Sequence, residues 1–155
     1  MKKTSIWASV AILAGGLLVA PSATTAQATA ATCTTKIVAN PSNTALAGYI
    51  VVPASASGSA NCQRGPHGGV IQATRTLQVN IAECYPALNL GTAGPNRDGI
   101  DGVYGAKVIA AITAIQKAAG ITKDGVYGKN THNKMKFDYV PTNRVEKPCQ
   151  PPVKI

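Results

Sequence analysis

The residues that could do acid, base, nucleophilic or metal chemistry are few. Beyond residue 30 the carboxylates are Glu83, Glu146, Asp98, Asp101, Asp124 and Asp138, and the histidines are His67 and His132. Glycoside hydrolysis needs two carboxylates set across a sugar ring. Asp101 and Asp124 each stand in an Asp-Gly dipeptide, a sequence committed first to turn formation. There is no His-Glu-x-x-His, and Ser42, Ser55, Ser57 and Ser59 lie outside any Gly-x-Ser-x-Gly elbow. Residues 96–105 hint at a calcium loop, but no register supplies ligands at positions 1, 3 and 5 with Gly at 6 and Glu at 12. A zinc site lacks Cys-x-x-Cys spacing. These residues predict a binding protein rather than an enzyme, with no cofactor.

What the chain does repeat is a turn. Asp-Gly-Val-Tyr-Gly occupies 101–105 and again 124–128, 23 residues later. Gly after Asp accepts a positive φ, and Asp can take backbone N–H bonds. Val and Tyr then enter the core, and the last Gly releases the chain into a helix. The spacing equals one helix plus one connection, so the segments after the two turns form an internal repeat.

The elements that position these turns follow from periodicity. Val70, Ala73, Thr74, Leu77, Ile81 and Cys84 share one helical face, with Gln72, Arg75, Gln78 and Glu83 on the other side, and Pro86 stops the run. A Gly-, Asn- and Pro-rich loop covers 89–102. Val108, Ala111, Ile112, Ile115 and Ala119 form a second stripe, with Gly120 placed to end the helix. A third, short helix is expected over 129–137. Ahead of these, residues 34–60 are rich in Thr, Ser, Ala and Val, with β-leaning runs at 35–39 and 48–52, the second ended by Pro53. That segment reads either as a two-stranded ribbon or ordered extension, or as a Ser/Thr/Ala linker.

The N-terminus reads as an export signal: Lys2 and Lys3, then an apolar run from Ile6 to Ala20 too short to span a bilayer, then small residues with two Ala-x-Ala sites at 26–28 and 28–30. Of 15 Lys and Arg residues, Lys2 and Lys3 fall in this leader, which leaves 13 against 6 acidic residues and a net charge of +7. Outside a cell, such a charge meets wall polymers, phosphate-bearing glycopolymers or membrane faces rather than chromosomal DNA, or serves solubility alone. Cys33, Cys62, Cys84 and Cys149 all follow the leader, and an even count in an exported chain argues for two disulfides. Of three pairings, Cys33 with Cys62 and Cys84 with Cys149 is favoured: the first closes the N-terminal segment on itself, the second ties the C-terminal tail to the helices.

From Ile100 to Met135 the chain resembles the peptidoglycan-binding-like domain family. The resemblance rests on both Asp-Gly-x-x-Gly turns, Gln116 between them, Thr131 after the second, and Leu77-Gln78 in the first helix; it covers roughly residues 65–137. Small secreted actinobacterial proteins that carry this domain alone have a similar cysteine arrangement, which supports the favoured pairing. The chain departs from the family pattern at Val108, where Thr is usual, at Ile115 before Gln116, at His132 where Trp is usual, and in a longer connection from Cys84 to Asp101.

The resemblance implies a mainly α fold, a small three-helix domain over 65–140, after a leader at 1–30 and a disulfide-tied extension at 31–64. A tail at 141–155 follows. It also implies binding to peptidoglycan or associated anionic wall polymers by a secreted monomer, without nucleic acid or membrane insertion. A protein-binding module on the same fold and a wall hydrolase are the rival readings. Candidate ligand residues are Gln116, Tyr104, Tyr127, Lys129, Thr131, His132 and Lys134. Each tyrosine reads first as a core anchor, and Gln116 equally as the partner of a nearby carbonyl. The only Trp, Trp7, lies in the leader, so recognition of a stem peptide or a charge-assisted contact is expected over sugar stacking.

Overall fold

The computed structural model describes residues 30–43, 47–66, 71–142 and 149–155. The leader therefore lies, apart from Ala30, outside the described residues, as does His67. Strand β1 (Ala31–Ala39) pairs antiparallel with β2 (Gly48–Ser55), with an irregularity between Cys33 and Thr35. Strand β3 (Cys62–Gln63) runs parallel to β1. Helices α1 (Gln72–Cys84), α2 (Ala106–Ala118) and α3 (Lys129–His132) follow, and β4 (Tyr139–Pro141) returns antiparallel to β2. The sheet order is β3-β1-β2-β4.

The expectation of a mainly α, three-helix fold is thus overturned: a four-stranded mixed sheet is a full layer of the molecule. Ile50, Val52 and Ala54 of β2 are completely buried, and the first two share one core with Ala73, Leu77 and Ile81 of α1 and Val108, Ile112 and Ile115 of α2. Asn80 fastens the layers, because its side-chain amide donates to the Val51 and Thr76 carbonyls at 3.0 and 2.7 Å and its oxygen accepts from the Asp138 N–H at 2.8 Å. Nor does Pro53 end its strand. It pairs with Lys36 on one side, while β4 reaches only Gly48, Tyr49 and Ile50 on the other. Beyond that point β2 is an edge, where the N–H that proline lacks has no ladder partner to lose.

The third helix is shorter than expected. Its last turn closes when the Lys134 and Met135 N–H groups donate to the Thr131 carbonyl, and Phe137 then exchanges two backbone bonds with Gln150 of the tail. Pairing with the tail, together with burial of Met135 and Phe137, outweighs the weak tendency of one isolated turn to propagate. Disulfides link Cys33 to Cys62 and Cys84 to Cys149, the favoured pairing. No helix among the described residues is long and apolar enough to cross a membrane.

Candidate functional site

Each Asp-Gly turn is closed by a glutamine from the preceding helix, in the same geometry. In the first copy Gln78 of α1 donates from Nε2 to Asp101 Oδ1 at 2.7 Å and to the Val103 carbonyl at 3.3 Å, and its Oε1 accepts from the Gly102 N–H at 2.7 Å. In the second copy Gln116 of α2 donates to Asp124 Oδ1 at 2.7 Å and to the Val126 carbonyl at 3.0 Å, and accepts from the Gly125 N–H at 2.9 Å. Both aspartates also accept from the N–H two residues on, at 2.8 and 2.9 Å. Gly102 and Gly125 have φ of +82° and +67°, the left-handed region that glycine enters without a Cβ penalty. The Asp101 carboxyl is held below the usual carboxylate range, first by the Gln78 hydrogen bond, which outweighs partial desolvation, and also by the Val103 N–H and the Arg75 charge.

The repeat joins itself through tyrosine. Tyr104 of the first copy donates its hydroxyl to the Gly125 carbonyl at 2.8 Å and accepts from the Tyr127 N–H at 3.0 Å. Tyr127 turns the other way: it is fully buried, and its hydroxyl shares a proton with His132 Nδ1 at 2.8 Å. Burial raises the pKa of both phenols above their ordinary value. Burial also lowers His132 to about 4, against a hydrogen bond to the Val153 backbone, so the imidazole is neutral at neutral pH. Its ring packs against Phe137 at a centroid distance of 5.3 Å.

The structure therefore places the sequence-derived candidates in two groups. Gln116, Tyr104, Tyr127, Thr131 and His132 are buried together, and their polar atoms bond to one another, to backbone or, from Gln116, to the Asp124 carboxylate. Lys129 and Lys134 are exposed, as is Lys136. Sequence reasoning set Gln78 on the outer face of its helix, yet it is 2 % exposed. The parallel between Leu77-Gln78 and Ile115-Gln116 was the signal that could have identified its role. Among the described residues no group of three or more His, Cys, Asp or Glu side chains converges to hold a metal.

Beside the second copy lies an open groove of about 500 Å³. Its walls are Tyr85, Pro86, Ala87 and Leu88 after α1, and Ala114, Ile115 and Ala118 on α2, with Lys134 and Lys136 also lining it. The lysines flank Met135, which is fully buried. The backbone N–H of Lys136 donates to the Tyr85 hydroxyl, which fixes the lysine-bearing segment to the opposite wall. Partial burial raises the Tyr85 pKa, against that bond.

No curated protein and no solved structure matches this chain. A family model does match, the one described as "Putative peptidoglycan binding domain", over residues 87–135. That stretch contains both Asp-Gly turns, α2 and α3, and leaves out the sheet and the helix that carries Gln78. Residues 87–135, which hold both turns, thus match the peptidoglycan-binding-like family.

Proposed function

We propose that this is a secreted, non-catalytic, monomeric protein that binds peptidoglycan or the anionic polymers associated with it. The observation that carries the reading is the family match over 87–135, the segment that contains both turns. In this reading Gln116, Tyr104, Tyr127, Thr131 and His132 shape the domain from within, and Lys129, Lys134 and Lys136 meet the ligand. Exposed lysines attract carboxylates and phosphates over about a Debye length, roughly 8 Å in physiological salt.

The test is retention of the full exported chain on purified sacculi, across a salt series and before and after anionic glycopolymers are stripped. Retention that falls with salt, and falls again in Lys134→Ala/Lys136→Ala, is expected. Absence of retention at low salt would overturn the reading. It would favour a protein partner instead, for which the sheet layer outside the matched segment, with Val38 65 % exposed, offers a surface. Release of muropeptides from the same sacculi would replace it with a hydrolase.

A further inference from the structure

We infer that the groove between the end of α1 and α2 is where the ligand docks, and that its occupant is a peptide of small aliphatic residues with a free carboxylate. This rests on the wall-binding reading and names the part of the wall polymer that is recognised. Three observations favour a peptide over the other components of a wall. Walls of Ala87, Leu88, Ala114, Ile115 and Ala118 reward burial of methyl groups. A sugar ring is recognised by stacked aromatics and by side chains that bond its hydroxyls. Among the described residues this groove has one phenol, Tyr85, whose hydroxyl already accepts from Lys136, and no amide or carboxylate side chain of those residues lines it. Finally, the charged lining residues among those described are the two lysines, which complement an anion at one end of an otherwise apolar ligand. A phosphate-rich glycopolymer would satisfy the lysines and leave the apolar walls unused. The Tyr85 bond and the Cys84–Cys149 disulfide brace one side of the groove in advance, which lowers the ordering cost of binding.

The test titrates the full exported chain, followed by NMR, with four probes: a synthetic stem tetrapeptide ending in a D-alanine carboxylate, its C-terminal amide, chitotetraose, and a glycerol phosphate oligomer. Resonance shifts confined to Leu88, Ala114, Ala118 and Lys136 are expected with the acid. Binding about 5-fold weaker is expected for the amide and for Lys134→Ala/Lys136→Ala, the factor that two solvent-open charge contacts supply. Ala118→Glu, at an exposed position, puts bulk and a like charge into the groove and is expected to abolish the shifts while the fold persists by circular dichroism. Equal affinity for acid and amide, shifts that cluster elsewhere, or groove shifts with either polymer probe in place of the peptide would each overturn the inference. Sacculi separate its failure from that of the wall reading. If Ala118→Glu is retained like wild type, the groove is wrong and wall binding stands. If the tetrapeptide binds but sacculi retain nothing, the groove stands and wall binding is wrong.

Discussion

The two Asp-Gly-Val-Tyr-Gly turns are the same object built in two settings. Their glutamine contacts match bond for bond, but the helices they launch diverge in sequence, and two neighbouring differences bear on the turns: Val108-Ile109 in the first copy, Thr131-His132 in the second. Thr131 Oγ1 adds a bond from Gln116 Nε2 at 3.0 Å and reaches the Val126 carbonyl at 3.2 Å. His132 takes the Tyr127 hydroxyl, whereas Tyr104, with Ile109 in the corresponding place, spends its hydroxyl on the other copy. The first copy is thus closed by shape and one glutamine, and the second by a denser polar set that also receives the first. Small changes in composition decide which copy supports the other.

The largest expected effect breaks the turns themselves. Placing a β-branched residue at a left-handed φ costs about 1–2 kcal/mol in either copy. At Gly125 a Cβ would also stand 2.8 Å from Ile109 Cγ2 and 3.1 Å from Thr113 Oγ1, an overpacking that adds about 1–3 kcal/mol. Gly125→Val is therefore expected to lose about 3 kcal/mol or more, and Gly102→Val more than about 1 kcal/mol, in urea denaturation. Unchanged midpoints in both variants would show that the turns tolerate side chains.

Next comes acid, which reaches the second copy first. His132 is lowered in the folded protein to about 4 from an ordinary 6.5, so between those values the unfolded chain binds more protons. Stability is complete above pH 6.5 and declines as pH falls toward 4, by about 3 kcal/mol for this one group. Asp101, whose pKa is also lowered in the folded protein, contributes stability that is lost only further down, as pH falls below the ordinary aspartate range. In His132→Gln the slope between pH 6.5 and 4 is expected to flatten. If the variant keeps the wild-type slope, the imidazole is not the group responsible.

Smallest is the hydroxyl that separates the copies. Thr131→Val gives the second copy the first copy's residue at this position and is expected to cost about 1 kcal/mol, the net value of a buried hydrogen bond. The reciprocal Val108→Thr supplies Gln78 with the same acceptor and should cost less than the ordinary penalty for a new buried hydroxyl, about 1–3 kcal/mol. A full penalty at Val108 would mean that the two glutamines are not interchangeable.

Much of this was legible in the residues. The repeated turn, the two longer helices and Gly120 at a helix end follow from spacing and composition, and the observed cysteine pairs were the favoured ones of three possible pairings. The sheet did not follow, for physical reasons. β3 and β4 are 2 and 3 residues long, too short to show alternation, and their partners lie far away in sequence. Strand β1 buries only Cys33 fully, and its Thr- and Ala-rich sequence suits a linker as well as a half-exposed strand. Gln78 was misplaced because helical periodicity sorts residues by polarity, whereas this amide is buried with every bond supplied from a turn 23 residues away. The site candidates at Tyr104, Tyr127 and His132 showed their chemical type in sequence, but their burial depends on the tail and on the sheet. The groove was invisible because most of its walls are aliphatic residues and a proline, which carry no chemistry of their own.

The glutamine clasps also differ in how much chain they must gather. Gln116 and Asp124 are 8 residues apart, Gln78 and Asp101 are 23. For flexible chain the longer closure carries an extra entropic cost of about 0.9 kcal/mol. The second turn is accordingly the part of the repeat that can form from its own neighbourhood, a helix and the few residues after it. The first needs a helix that lies outside the family-matched segment and a long loop brought to order, so a fragment cut at the boundaries of that segment would keep one clasp and lose the other.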